Sequence, residues 1–159
     1  MEPYFEREEL ILATKEFIEN DPIPNALAVT LTFKQVTLID SEAKKCVRHF
    51  MNRLNYKVYG KRFQRHGKKL SILPVFEGNR NVRLHVHLSL EQPEFVSFDD
   101  YSKLIHECWN STQFGNRNID IQPQYDGWIG YLLKHKSKSD GVLSSIDWEN
   151  YHPPTSSPE

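Results

Sequence analysis

The stretch Arg83-Leu84-His85-Val86-His87-Leu88-Ser89-Leu90 decides the fold, because its residues alternate between polar and apolar side chains. Alternation with a period of two predicts a β-strand with one buried face. His85 and His87 then share the other face, about 7 Å apart along the strand. Two imidazoles placed in this way can bind one metal ion. A half-buried strand with histidines on its solvent side would show the same pattern.

A carboxylate lies just before this strand. Residues 70–77 form a second β-prone stretch, and Gly78-Asn79-Arg80-Asn81 has the composition of a turn. Two strands joined by such a turn form an antiparallel hairpin. The hairpin can bring Glu77, at the end of one strand, close to the histidines of the other.

The rest of the chain alternates between helical and strand-like patterns, with capping signals at Asp40 or Ser41 and at Ser97. This order predicts an α+β sandwich with a central antiparallel sheet of about five strands. We expect the helices to cover one face and the histidine face to be open. The predicted helices span residues 6–20, 41–59, 98–111 and 128–138, and the predicted strands span residues 26–33, 70–77, 83–90 and 118–122.

Length and composition indicate one globular domain. The chain has 159 residues, of which 38% are hydrophobic and 26% are charged. The apolar runs are too short to span a bilayer, and the first residues do not resemble a signal peptide. Cys46 and Cys108 lie among apolar neighbours, which favours reduced thiols and a reducing compartment. We expect one domain over residues 1–140, followed by a tail or the start of a linker over residues 141–159.

Positive charge is concentrated in the middle of the chain. Residues 44–83 contain twelve Lys and Arg and one acidic residue, although the whole chain has a net charge of −1. A local basic surface of this kind favours a polyanionic partner, and a solvated basic helix and loop is the alternative. The candidate residues for binding such a partner are Lys44, Lys45, Arg48, Lys61, Arg62, Arg65, Lys68, Lys69, Arg80 and Arg83.

The last predicted helix carries a tyrosine and a lysine on one face. Tyr131 and Lys134 stand three residues apart, which is close to one helical turn. A tyrosine hydroxyl can attack phosphorus when a cation neutralises the phosphate, and a nearby lysine adds positive charge. A tyrosine that packs partly into the core beside a surface lysine would show the same spacing.

Three segments together resemble the HUH endonucleases, and more narrowly the nicking domain of single-tyrosine rolling-circle replication initiators (Rep proteins). They are the strand over residues 26–33, His85-Val86-His87, and Gly127-Trp128-Ile129-Gly130-Tyr131-Leu132-Leu133-Lys134. The resemblance implies that His85 and His87 hold Mn²⁺ or Mg²⁺, although their chemistry alone would also suit zinc. It implies Glu77 as the third ligand, with Glu91 and His135 as alternatives. It also implies Tyr131 as the nucleophile and Lys134 as its companion.

The function implied by this resemblance is metal-dependent, sequence-specific nicking and joining of single-stranded DNA. The nick would lie at a replication origin, which can include a hairpin, and would proceed through a covalent 5′-phosphotyrosine to start rolling-circle replication. A helicase would act in trans or from a further C-terminal domain, because the sequence contains no Gly-x-x-x-x-Gly-Lys-Ser/Thr loop. The expected location is the cytoplasm for a bacterial plasmid or phage protein and the host nucleus for a eukaryotic virus.

Three other interpretations remain open from the sequence. One is a non-catalytic single-strand-binding module with an RRM-like fold, in which aromatic side chains on the sheet would stack on bases. Another is a metal hydrolase that uses bound water, in which Tyr131 is structural. The third is a transposase- or relaxase-type nickase of a mobile element. Covalent capture of DNA distinguishes the first two from a tyrosine nickase.

Overall fold

A computed structural model gives the structure of the protein and describes residues 4–35, 38–78, 83–133 and 146–154. Helices and strands follow each other in the predicted order, with one additional short helix, α3. The helices are α1 (Tyr4–Glu19), α2 (Asp40–Tyr59), α3 (Lys61–His66), α4 (Phe98–Asn110) and α5 (Trp128–Leu133). The strands are β1 (Ala26–Phe33), β2 (Ile72–Glu77), β3 (His85–Glu91) and β4 (Gly115–Pro123).

The four strands form one antiparallel sheet in the order β2-β3-β1-β4. The described part of the chain thus has four strands where about five were expected. Residues 146–152 run along the free edge of β2, since Ile146 pairs with Val75 and His152 pairs with Ile72. This part of the segment assigned to the tail therefore contacts the sheet.

The main hydrophobic core lies between one face of the sheet and the helices α2 and α4. The alternation predicted for β3 is confirmed, because Val86, Leu88 and Leu90 are fully buried on this face. Trp109 of α4 packs edge-on against Phe33 of β1, and its indole N–H donates to the carbonyl of Thr32 at 2.8 Å. This packing fixes the sheet on the side opposite the histidines.

The histidine face is not open, which corrects the prediction. A second cluster covers part of it and includes Leu73 and Val75 of β2. Against these strand residues pack Ile18 of α1, Ile146, and the side chains of α5 (Trp128, Ile129, Leu132 and Leu133). Since apolar residues occupy both faces of β2, both faces can be buried. The histidines lie beside this second cluster.

One of the two predicted helix caps is confirmed. The hydroxyl of Ser97 accepts a hydrogen bond from the backbone N–H of Asp100 at 3.1 Å and begins α4. At α2 the capping position is Ile39, so the prediction of Asp40 or Ser41 was wrong. The Asp40 carboxylate lies in the first turn and pairs with Lys44 at 3.1 Å.

The two cysteines, Cys46 and Cys108, are both buried and free, and burial raises the pKa of the Cys108 thiol to about 11. Among the described residues, no helix has both the length and the apolar character that a bilayer crossing requires.

Candidate metal centre

Three side chains converge where β2 ends and β3 begins. The strand register places Glu77 opposite His85, while His87 lies two residues further along the same face of β3. Oε1 of Glu77 lies 2.9 Å from Nε2 of His85 and 2.9 Å from Nε2 of His87, and the two Nε2 atoms are 3.1 Å apart. Glu77, His85 and His87, here called the triad, could therefore hold one metal ion.

Each imidazole is oriented through its other nitrogen. The carbonyl oxygen of Arg83 lies 2.9 Å from Nδ1 of His85 and can only accept, so Nδ1 is the donor. Nε2 of the same ring, which faces Oε1 of Glu77, is the nitrogen that would bind a metal ion. Nδ1 of His87 lies 2.9 Å from Oγ1 of Thr30, which turns its Nε2 toward the same point. This arrangement matches the outer-shell hydrogen bonding of metal-bound histidines.

The Glu77 carboxyl is held in its charged form. Partial burial raises its pKa, but hydrogen bonds and charge interactions with His87 and His85 outweigh this, so the net pKa is lowered. A lowered pKa means that these contacts stabilise the fold above the ordinary Glu pKa, and this stability is lost as pH falls through the folded-state pKa. At neutral pH the site thus contains an ionised oxygen ligand.

The donor atoms of the triad fit a divalent cation. Their separations of 2.9, 2.9 and 3.1 Å are short enough for one ion to contact all three. Carboxylate oxygen suits Mg²⁺ or Mn²⁺, and imidazole nitrogen suits zinc as well.

An aromatic group connects α5 to the triad. The ring of Trp128 is buried, meets the His87 ring edge-on at 5.6 Å and donates its indole N–H to the carbonyl of Leu88 at 3.2 Å. Tyr131 stacks on Trp128 at 5.6 Å, and its own ring lies 5.9 Å from that of His87. Tyr131 is 41% exposed. A solvent-accessible tyrosine therefore stands directly beside a candidate metal ligand.

The other candidates for the site have different positions. Glu91 is at the far end of β3, where its carboxylate accepts from the backbone N–H of Ser71 at 2.9 Å. Lys134 and His135 lie outside the described residues, as does Arg80. The structure therefore brings Glu77, rather than Glu91, together with the two histidines.

The basic candidates among the described residues lie in three places. Arg83 is near the triad, and its guanidinium donates to the carbonyls of Phe33 and Lys34 at 2.9 and 2.7 Å. The basic segment, defined as residues 61–69, lies at the opposite end of β2 from Glu77. Its cations are exposed, and Arg62 and Lys68 approach the ring of Tyr59 at 5.5 and 5.6 Å.

The basic candidates on α2 differ in their partners. Lys44 pairs with Asp40, Arg48 lies 3.7 Å from Glu149, and Lys45 is exposed.

Sequence reasoning missed two residues that shape the site. Thr30 was assigned only to a face of β1, and Trp128 only to the motif around Tyr131. Thr30 pairs with His87 across β1 and β3, which explains why its hydroxyl reaches the His87 imidazole. The alternation of Thr30 and Thr32 with apolar residues was the available signal, but it does not reveal which strand lies next to β1.

A sequence model of the family described as replication-associated protein ORF2 matches residues 26–140. The match covers well over half of the chain and contains the triad and Tyr131. No curated protein and no solved structure matches the chain.

Proposed function

The chain belongs to the replication-associated protein ORF2 family, and on that basis we propose that it is a metal-dependent endonuclease and strand transferase acting on single-stranded DNA. Membership in the family indicates a role in DNA replication. The proposed role is to nick a replication origin and so start rolling-circle replication. Its DNA target is a single strand at the origin, which can be exposed in a hairpin.

One observation supports this proposal above all others. The triad lies beside a solvent-accessible tyrosine, with the Tyr131 ring 5.9 Å from that of His87. A metal-binding triad alone would suit hydrolysis by bound water, and a tyrosine alone would suit packing. Together they place a nucleophile next to residues that could hold a phosphate-binding cation.

The proposed metal is Mg²⁺ or Mn²⁺, held by Glu77, His85 and His87. The carboxylate oxygen of Glu77 supports an ion of this kind, and the choice over zinc rests on the resemblance to Rep proteins. Such an ion, when bound, acts as a Lewis acid on the scissile phosphate.

The reaction itself is carried out by Tyr131. Its hydroxyl oxygen attacks phosphorus, a P–O bond to tyrosine forms, and the bond from phosphorus to the 3′ oxygen breaks. The tyrosine loses its proton, the departing 3′ oxygen takes one up, and the products are a 5′-phosphotyrosine and a free 3′-OH. The same exchange in reverse rejoins strands. Lys134, from the motif around Tyr131, is proposed to add positive charge beside the phosphate.

The basic side chains are proposed to hold the DNA backbone. Exposed cations in the basic segment and on α2 would contact phosphates rather than bases. Such contacts fix the position of the DNA strand on the protein but do not read its sequence. A helicase in trans or in a further domain would unwind the duplex after the nick.

The proposal predicts a covalent adduct. Wild-type protein incubated with origin-derived single-stranded DNA and Mn²⁺ should give a species on a denaturing gel that resists denaturant, and peptide mapping should place the DNA on Tyr131. Tyr131→Phe should abolish the adduct, because only the attacking hydroxyl is removed. Its affinity for the oligonucleotide should stay close to that of the wild type.

Tyr125→Phe is the matched control. Tyr125 is 48% exposed and also packs on Trp128, at 5.5 Å, but no contact with His87 is described for it. This variant should form the adduct normally. DNA attached to a peptide without Tyr131 would contradict the assignment. Binding without an adduct under any divalent metal would favour the non-catalytic binding module.

A further inference from the structure

An exposed phenylalanine stands beyond the end of β3 that is opposite the triad. Phe95 follows this strand in a short turn, and its side chain is 63% exposed. A single exposed aromatic ring is common on protein surfaces and by itself indicates nothing. The surroundings of Phe95 therefore decide what its exposure means.

The turn that carries Phe95 is held by hydrogen bonds on both sides of the ring. The backbone N–H of Val96 donates to the carbonyl of Pro93 at 3.3 Å. The side-chain amide of Gln92 donates to the carbonyl of Val96 at 3.1 Å. Because the backbone around Phe95 is fixed in this way, a ligand that binds the ring has little loop ordering to oppose it.

Two cations meet Phe95 around one shared ring. The Phe95 ring contacts the buried ring of Tyr59, with 6.1 Å between the ring centres. Cζ of Arg62 lies 5.5 Å and Nζ of Lys68 lies 5.6 Å from the centre of the same Tyr59 ring. Both cations are exposed. Phe95, Tyr59, Arg62 and Lys68, here called the platform, thus combine an exposed aromatic face with two positive charges.

The end of α3 brings Lys68 back beside Arg62. The backbone N–H groups of Gly67 and Lys68 donate to the carbonyls of Phe63 and Arg62, at 3.2 and 3.3 Å. Gly67 has a φ of 66°, and a glycine in this left-handed conformation commonly ends a helix. Because the chain turns back there, two charges from opposite ends of α3 contact the same ring.

Positive charge exceeds negative charge around the platform. Glu94 is exposed next to Phe95, and Glu91, at the end of β3, accepts from the backbone N–H of Ser71. The basic segment alone contains five Lys and Arg. A ligand with phosphates and accessible flat rings matches both the charge and the aromatic face, and single-stranded DNA is such a ligand. A duplex presents its phosphates but keeps the faces of its bases stacked inside.

We propose that Phe95 stacks on one unpaired base of single-stranded DNA, while Arg62 and Lys68 contact the phosphates that flank this base. The inference rests on the proposed function for the identity of the ligand, and it adds a base contact away from the phosphate that Tyr131 attacks. Stacking needs only the face of a base, so this contact accepts every base and adds affinity rather than sequence preference.

The test measures affinity for short oligo-dT by fluorescence anisotropy at several salt concentrations, with chelator present so that nothing is cleaved. Phe95→Leu keeps an apolar side chain but removes the aromatic face, so it should bind about tenfold more weakly, as for one lost stacked base. Its slope of log affinity against log salt should equal that of wild type, because no phosphate contact is lost. Phe95→Trp keeps an aromatic face and should bind at least as tightly as wild type.

Phe17→Leu is the matched control. Phe17 is 62% exposed, but it lies on α1, which has more acidic than basic residues. This variant should keep the wild-type affinity. A strand of the same length in which every base is replaced by an abasic analogue gives a second control. Wild type and Phe95→Leu should bind that strand equally, because its phosphates remain and no base is left to stack.

The outcomes separate this inference from the proposed function. Equal losses in Phe95→Leu and Phe17→Leu, an equal loss in Phe95→Trp, a changed salt slope in Phe95→Leu, or no binding of oligo-dT by wild type would overturn the platform. If wild type forms the Tyr131 adduct while Phe95→Leu binds as tightly as wild type, the platform fails and the proposed function stands. If affinity depends on an aromatic ring at Phe95 but no adduct forms with any divalent metal, the platform stands and the proposed function fails.

Discussion

The hydroxyl of Thr30 lies 2.9 Å from Nδ1 of His87, on a strand that contributes no ligand of its own. This contact holds the plane of the imidazole and turns Nε2 toward Glu77 and His85. Outer-shell hydrogen bonds of this type matter because a rotated ring places its ligand atom away from the ion.

Thr30→Val should weaken Mn²⁺ binding by about 10- to 100-fold, the usual cost of removing an outer-shell partner. Valine has nearly the shape of threonine, so the strand should keep its packing while His87 loses its orienting bond. Isothermal titration calorimetry with MnCl₂ measures the change directly.

Thr32→Val is the control for that substitution. Thr32 lies on the same strand and the same face, but its hydroxyl donates to the carbonyl of Asn118 at 2.6 Å rather than to an imidazole. Its removal should leave Mn²⁺ affinity unchanged. If both variants lose affinity equally, the effect belongs to the strand and not to the orientation of His87.

At the scale of elements, Trp128 is one of four buried residues that attach α5 to the sheet, and it is the one that also bonds to the carbonyl of Leu88. Trp128→Ala should lower the free energy of unfolding by about 3–5 kcal/mol, the usual effect of deleting a large buried aromatic side chain. Urea unfolding followed by circular dichroism gives this value.

Trp148→Ala provides the comparison, because Trp148 is 45% exposed and packs edge-on against Tyr151 at 5.6 Å. Its removal should cost about 1 kcal/mol, as for a single exposed aromatic pair. Equal destabilisation of the two variants would mean that Trp128 does not hold α5 on the sheet.

The elements were predicted well where periodicity alone determines them. β1 was placed at its observed bounds, and the two faces of β3 were assigned correctly. The cover over the histidine face was missed, because it depends on α1, α5 and residue 146 meeting in space. The signal was present in β2, where Leu73 and Val75 share a face with Glu77, and apolar residues on both faces indicate burial on both sides.

For the whole molecule, the separation of charge predicts how DNA binding responds to salt. Replacing both Lys68 and Lys69 with Ala should reduce the slope of log affinity against log salt by about 0.7 for each phosphate that the protein no longer neutralises on a single strand. Anisotropy titrations with a labelled oligonucleotide at several salt concentrations measure the slope.

Lys103→Ala removes an exposed lysine of α4, outside the basic segment, and should leave the slope unchanged. An unchanged slope in the Lys68 and Lys69 double variant would mean that these side chains do not contact phosphate. Base preference should survive the double substitution, since phosphate contacts position a strand and base contacts specify it.

The predicted relationship to replication initiators was confirmed by the family match, and the predicted proximity of Glu77 to the histidines was confirmed by the hairpin register. Both depend on residues close together in the sequence. The position of the basic residues relative to the triad could not be predicted in this way, because it depends on the direction of β2. Their role in DNA binding stays a prediction, as does the role of Lys134.

The direction of β2 places the triad and the basic segment at opposite ends of one strand, so a fixed distance separates them. β2 alone separates Glu77 from the end of the strand nearest the basic segment by about 17 Å, the rise of five residues. A stacked strand rises about 3.4 Å per nucleotide, so about five stacked nucleotides span this distance. If the basic segment and the triad both contact DNA, as proposed, the length of β2 sets how many stacked nucleotides lie between the two contacts.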